Sequence, residues 1–97
     1  MSDSATRLSD QAVDERIRLL TGWQRSGGEI SKTYKFNNYY ETMAFVNALA
    51  WIAHGSDHHP DLEVGYNKCK VRFSTHSAGG ITQKDLESAE KVEGLMK

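Results

Sequence analysis

The 97-residue sequence holds one cysteine, one proline, no apolar run near the length of a membrane span, and almost no imbalance of charge. Cys69 has no partner, so no disulfide can close within the chain. Met1 to Asp10 is polar and acidic where a secretory leader would be apolar, so the expectation is a soluble protein of a reducing compartment, the cytoplasm. A bilayer span needs ~20 apolar residues in a row, and without one no membrane association is expected. Twelve basic and thirteen acidic side chains leave a formal net charge of −1, with the signs mixed along the chain. Direct nucleic-acid binding is therefore not expected, because its basic footprint is missing. A chain this short forms one small core, of the size that gains from self-association.

What is present is a regular change of period. Val13, Ile17 and Leu20 recur at helical spacing behind Ser9, an N-cap type, with Leu8 and Val13 placed for a hydrophobic staple. This predicts a helix over Leu8 to Leu20, stopped by Gly22. From Trp23, the Gly27-Gly28 turn signal and the alternation of Ile30, Tyr34 and Phe36 with polar residues predict a hairpin. Asn38, with Glu41 three residues on, opens a second helix carrying the stripe Phe45, Leu49, Ile52 and Ala53. That helix is predicted to stop at His54-Gly55, since glycine is favoured just past a helix end and Pro60 holds His59 away from helical backbone. Leu62, Val64 and Tyr66, then Cys69, Val71, Phe73 and Thr75, predict a second hairpin, with Tyr66 on its core face and Cys69 a small apolar strand residue. Thr82 and Asp85 form a capping box before Leu86, Ala89 and Val92 or Met96 on one face of a third helix. The expectation is an α+β fold in one domain over residues 1–97, residues 1–7 being a flexible lead-in. The order helix, hairpin, helix, hairpin, helix implies a four-stranded antiparallel sheet with the helices packed on one face.

All four histidines, His54, His58, His59 and His76, lie between positions 54 and 76. Imidazole, with a pKa of roughly 6.5, gives and takes protons near neutrality, so the cluster points to proton transfer or to a metal. His58 and His59 fall in the connection from the second helix to the third strand, where a scaffold can present side chains to a pocket. Two surface loop histidines would need no function, but His76 changes the balance. If the fourth strand pairs antiparallel with the third, its end returns to the third strand's start and brings His76 beside His58-His59-Pro60. Zinc fits less well. Gly55 is expected to end the helix between His54 and His58, and adjacent histidines diverge on extended backbone.

The spacing His54-x3-His58-His59-Pro60-x5-Tyr66-x9-His76-x8-Asp85 resembles the signature of the pterin-4a-carbinolamine dehydratase family. The strings Asp57-His58-His59-Pro60, Tyr66-Asn67-Lys68 and Ser74-Thr75-His76 are similar to it too, and the resemblance runs from roughly Gly22 to Leu95. It implies a dehydratase that eliminates water from a 4a-hydroxytetrahydropterin, giving quinonoid dihydropterin, in the tetrahydrobiopterin recycling that serves aromatic amino acid hydroxylases. It also implies no metal and no cofactor, the pterin being the substrate. His58, His59 and His76 match the family's active-site histidines. The division of labour expected here is His58 as proton donor to the leaving hydroxyl, His76 as the complementary base and His59 orienting the pterin. The family's first position is often acidic. His54 stands there, and an imidazole can shuttle protons without supplying a permanent negative charge.

Six residues are expected to contact substrate. They are His54 and Asp57, Pro60 and Asp61 through backbone groups, and Ser74 and Thr75 through hydroxyls. Asp85 belongs to the pattern, although its capping box alone explains an acid there. Trp23 and Trp51 are expected in the core or at an interface. A homodimer or homotetramer is implied by the resemblance and suits a sheet with open edges. Members of the family also serve as dimerisation cofactors of a homeodomain transcription factor. A non-catalytic pterin-binding or dimerisation module on the same fold is therefore the alternative, although a pure binder has no need of three imidazoles.

Overall fold

The computed structural model describes residues 6–97. The expected flexible lead-in falls mostly on residues 1–5, outside the described residues. Each helix starts on a side-chain cap that satisfies an otherwise unpaired N–H. Ser9 Oγ accepts from Ala12 N–H at 3.1 Å and opens α1 (Asp10–Ile17), and Asn38 Oδ1 accepts from Glu41 N–H at 2.8 Å and opens α2 (Tyr39–Ser56). Thr82 and Asp85 close the reciprocal capping box of α3 (Gln83–Gly94).

Four strands, β1 (Gln24–Ser26), β2 (Glu29–Lys35), β3 (Asp61–Val64) and β4 (Lys68–Phe73), form one antiparallel sheet in the order β1-β2-β4-β3. The helices pack on one face, as the sequence predicts. Alternation explains which residues meet them. Ile30 and Tyr34 of β2 and Cys69, Val71 and Phe73 of β4 are buried against Val13 and Ile17, Phe45 and Leu49, and Leu86, Ala89 and Val92. Truncating one of these, Leu49 for example, would cost about 2–5 kcal/mol. Burial also pushes the Cys69 thiol up, away from the reactive thiolate. At the far end of α3, Glu93 Oε1 accepts from Trp23 Nε1, Lys32 Nζ and the Tyr34 hydroxyl, which ties the helix to β2 and its approach.

Four details depart from expectation. Helix α1 is shorter than predicted: Ser9 caps it with extended backbone, which leaves Leu8 outside with its N–H donating to Ile81 O at 2.8 Å, and the helix ends at Arg18, before Gly22. Helix α2 runs through Gly55 to Ser56, and the left-handed residue that stops it is Asp57 (φ 54°). There Asp57 N–H reaches His54 O and His58 N–H reaches Ala53 O, a Schellman arrangement that satisfies the carbonyls left open at the helix end. Tyr66 is 67% exposed, since β3 ends at Val64 and alternation does not carry into the turn. Trp51 is 78% exposed on the outer side of α2, so the core half of its expectation fails, whereas Trp23 is buried in the core.

The register Asp61↔Arg72 sets the end of β4 beside the start of β3. The residues that lead into β3 thus lie next to those that leave β4.

Candidate active site

The stop of α2 delivers His58. Its backbone is held by Ala53 O, its ring lies over Phe73 (centroids 5.9 Å apart, planes at 15°), and its side chain is 12% exposed. Its Nε2 meets Asp85 Oδ1 at 2.5 Å. Asp85 is fully buried, and its other oxygen, Oδ2, accepts from the Thr75 hydroxyl at 2.8 Å and from Thr82 N–H at 2.9 Å. Because Nε2 faces the carboxylate, Nδ1 is the ring nitrogen of His58 left to exchange a proton with a ligand.

Beside His58 opens a cavity of about 270 Å³, with His59 and His76 also on its lining. His76 arrives on the 3₁₀ turn His76–Ala78, which follows β4 and is held by Thr75 pairing with Gly80. Asp57, Asp61, Ser74 and Thr75 complete the expected part of the lining. His54 and Pro60 fall outside it, in an adjoining cleft of about 370 Å³ that shares Asp57, His58 and His59 and has an apolar floor of Leu49, Ala50, Ala53 and Leu62. With Gly55 helical, His54 lies on the last turn of α2 and faces that cleft rather than His76.

The hydroxyls are placed differently from expectation. Thr75 is buried, and its proton goes inward to Asp85. Ser74 donates to Gly28 O at 2.9 Å, leaving its oxygen able only to accept from a ligand.

Two lining or supporting residues were not among the expected set. Arg72, ion-paired with Glu63, places a guanidinium on the cavity wall. The strand alternation that aligns Arg72, Ser74 and His76 on one face was the signal for it. In the sequence the capping box alone accounts for Asp85, and its contact with His58 spans 27 residues. Among the described residues, no three His, Cys, Asp or Glu side chains are grouped to hold a metal, and no helix is long and apolar enough to cross a membrane. The arrangement is suited to a small polar heterocycle. A guanidinium, carboxylates and imidazoles offer both donors and acceptors, and an anchored imidazole can carry a proton to or from a bound atom.

Comparison with known proteins is consistent along the whole domain. The family described as pterin 4 alpha carbinolamine dehydratase matches residues 6–95. A Chromobacterium violaceum protein provisionally named pterin-4-alpha-carbinolamine dehydratase is 53% identical over 90 residues, covering 93% of this chain and 83% of its own. A Nitrosospira multiformis protein of the same provisional name is 50% identical over 88 residues, covering 91% of this chain and 78% of its own. A crystal structure described as a transcriptional coactivator/pterin dehydratase from Brucella melitensis superposes with a TM-score of 0.90 at 31% identity, over 95% of this chain and 100% of that one.

Proposed function

Since the chain belongs to the pterin 4 alpha carbinolamine dehydratase family, we propose that it eliminates water from a 4a-hydroxytetrahydropterin by histidine acid–base catalysis. The observation that carries this reading is His58 anchored on Asp85 at the wall of a cavity it shares with His59 and His76. In its imidazolium form His58 delivers the Nδ1 proton to the hydroxyl leaving C4a. The N5–H proton passes to His76 as the C4a=N5 bond forms, so water leaves and the proton count balances. An acid and a base so placed contribute about 10²- to 10⁴-fold each. The Asp85 carboxylate stabilises the imidazolium before transfer and fixes the ring afterwards.

His59 orients the pterin, with Asp61, Arg72 and Ser74 facing its polar edge. The adjoining cleft, where His54 and Pro60 stand, receives the substituent that the pterin carries at C6, next to the reacting N5. Thr75 acts through Asp85 rather than on the substrate. The reaction is that of tetrahydrobiopterin recycling, and in this reading the protein works in the cytoplasm as a homodimer or homotetramer with no cofactor.

The test is spectrophotometric decay of enzymatically generated 4a-hydroxytetrahydropterin with chelator-treated protein. Acceleration by the wild type, lost in H58A, supports the reading. Near-normal turnover in H58A with none in H59A would reverse the roles of the two histidines. No acceleration by folded wild type would favour the non-catalytic binding or dimerisation role.

A further inference from the structure

We propose that Thr75 and Thr82 are positioning residues that fix the proton of His58 on Nε2 and hold the loop bearing His76 in register with it. The catalytic half of this inference rests on the dehydratase reading above, and the tautomer half does not.

The hydroxyl and amide protons around Asp85 lie in a closed space and can be assigned one by one. Thr82 and Asp85 are fully buried, and Thr75 is 9% exposed. Among the described residues, no buried side-chain nitrogen or oxygen lacks a partner. Thr82 Oγ1 accepts the N–H of Lys84 at 3.3 Å, as an N-cap does. Thr75 has one hydroxyl proton, and it goes to Asp85 Oδ2 at 2.8 Å. The 2.9 Å contact between Thr75 Oγ1 and Thr82 Oγ1 must therefore be donated by Thr82. Thr82 N–H also points at Oδ2, at 2.9 Å. Two donors thus converge on Oδ2 and favour the ionised carboxylate over the acid. With the carboxylate ionised, Oδ1 can only accept, which in this proposal puts the proton of the 2.5 Å contact on Nε2. Were Asp85 instead the donor to His58, the imidazole proton would sit on Nδ1, and a neutral His58 could take nothing from a substrate there.

The same two threonines bracket the loop that carries His76. Thr75 N–H donates to Gly80 O at 2.9 Å and Gly80 N–H to Thr75 O at 3.3 Å, closing the loop at its neck. The acid and the base of the proposed reaction are therefore referred to one buried hydroxyl pair. Capping of α3, the tautomer of His58 and the placement of His76 become one unit.

The test is imidazole ¹⁵N–¹H correlation spectroscopy, at a pH where His58 is neutral, on wild type, T75V and T75S, with kcat and KM measured alongside. Wild type is expected to show a single Nε2–H tautomer for His58. T75V keeps the side-chain volume and removes the donor, so it should show a mixture of tautomers. Its kcat should fall about tenfold, less than the ~10²- to 10⁴-fold of losing the catalytic group itself, with KM within about twofold. T75S retains the hydroxyl and should restore both readouts. The proposal is overturned by an Nδ1–H tautomer in wild type, by an unchanged tautomer and kcat in T75V, or by T75S behaving as T75V does. The wild-type tautomer and T75S decide the matter even where T75V does not fold. Absence of wild-type turnover would count against the dehydratase reading alone, since the tautomer is measured without substrate.

Discussion

Asp85 divides its two carboxylate oxygens between Thr82 and His58: Oδ2 accepts Thr82 N–H at 2.9 Å and starts α3, while Oδ1 meets His58 Nε2 at 2.5 Å. One buried side chain thus serves as a helix cap and as the partner of the proposed acid. Losing it should affect stability and turnover together, and losing only its charge should separate the two.

Asp57 sets the direction of the chain into His58 through a left-handed backbone, φ 54°. D57G should be neutral or slightly stabilising. D57V should cost about 1–2 kcal/mol, because a β-branched residue is disfavoured there. Urea unfolding checks the order, which is expected to be Gly at least as stable as Asp, and Val least stable.

The tie between Glu93 and β2 gives a pH dependence of known sign. Burial pushes the Glu93 carboxyl up, but hydrogen bonds from Lys32, Tyr34 and Trp23 outweigh it and hold the group below its ordinary value of 4.5. A carboxyl depressed in the folded state stabilises above its unfolded value, and that contribution is lost as pH falls through the folded one. Stability should therefore decline below about pH 4.5, and the decline should be shallower in E93Q. Thermal unfolding between pH 3 and 7 measures it, and parallel curves for the two proteins would contradict the assignment.

The cleft beside the histidines yields a specificity prediction. Ala50 is exposed on its floor, so A50L fills space without disturbing the core. KM for a carbinolamine bearing a dihydroxypropyl group at C6 should rise about tenfold, while KM for the 6-methyl analogue stays within about twofold. Equal effects on the two substrates would place the C6 substituent elsewhere.

Self-association is expected to use the outer face of α2. Tyr40 and Trp51, 83% and 78% exposed, stand eleven residues apart and so share one side of the helix. Sedimentation is expected to give a dimer or tetramer at micromolar concentration, and W51E should shift it toward monomer. A monomeric wild type would contradict this.

Much of this architecture is legible in the sequence because it is local. Ser9, Asn38 and Thr82 cap where cap chemistry says they should, Gly27-Gly28 turns, and alternation separates Val71 and Phe73 from Lys70 and Arg72. The end of α2 is not local in the same way. Gly55 is compatible with stopping or continuing, and the outcome depends on which later N–H groups reach the carbonyls of Ala53 and His54. The histidine cluster is legible because an antiparallel hairpin returns Ser74 to His76 toward His59. The support beneath it is hidden by sufficiency: the capping box already accounts for Asp85, and no spacing rule reveals that its second oxygen reaches His58 or that Thr75 turns its hydroxyl inward.

The most direct measurement is the decay of 4a-hydroxytetrahydropterin with wild type, D85N and H58A at equal concentrations of folded protein. An amide at position 85 can still accept Thr82 N–H, but it presents an N–H₂ to His58 and reverses the imidazole tautomer. Clear acceleration by wild type is expected, with a fall in kcat of about 10²- to 10⁴-fold in D85N, close to that of H58A because the two residues act as a unit. Turnover in D85N near that of wild type would contradict it.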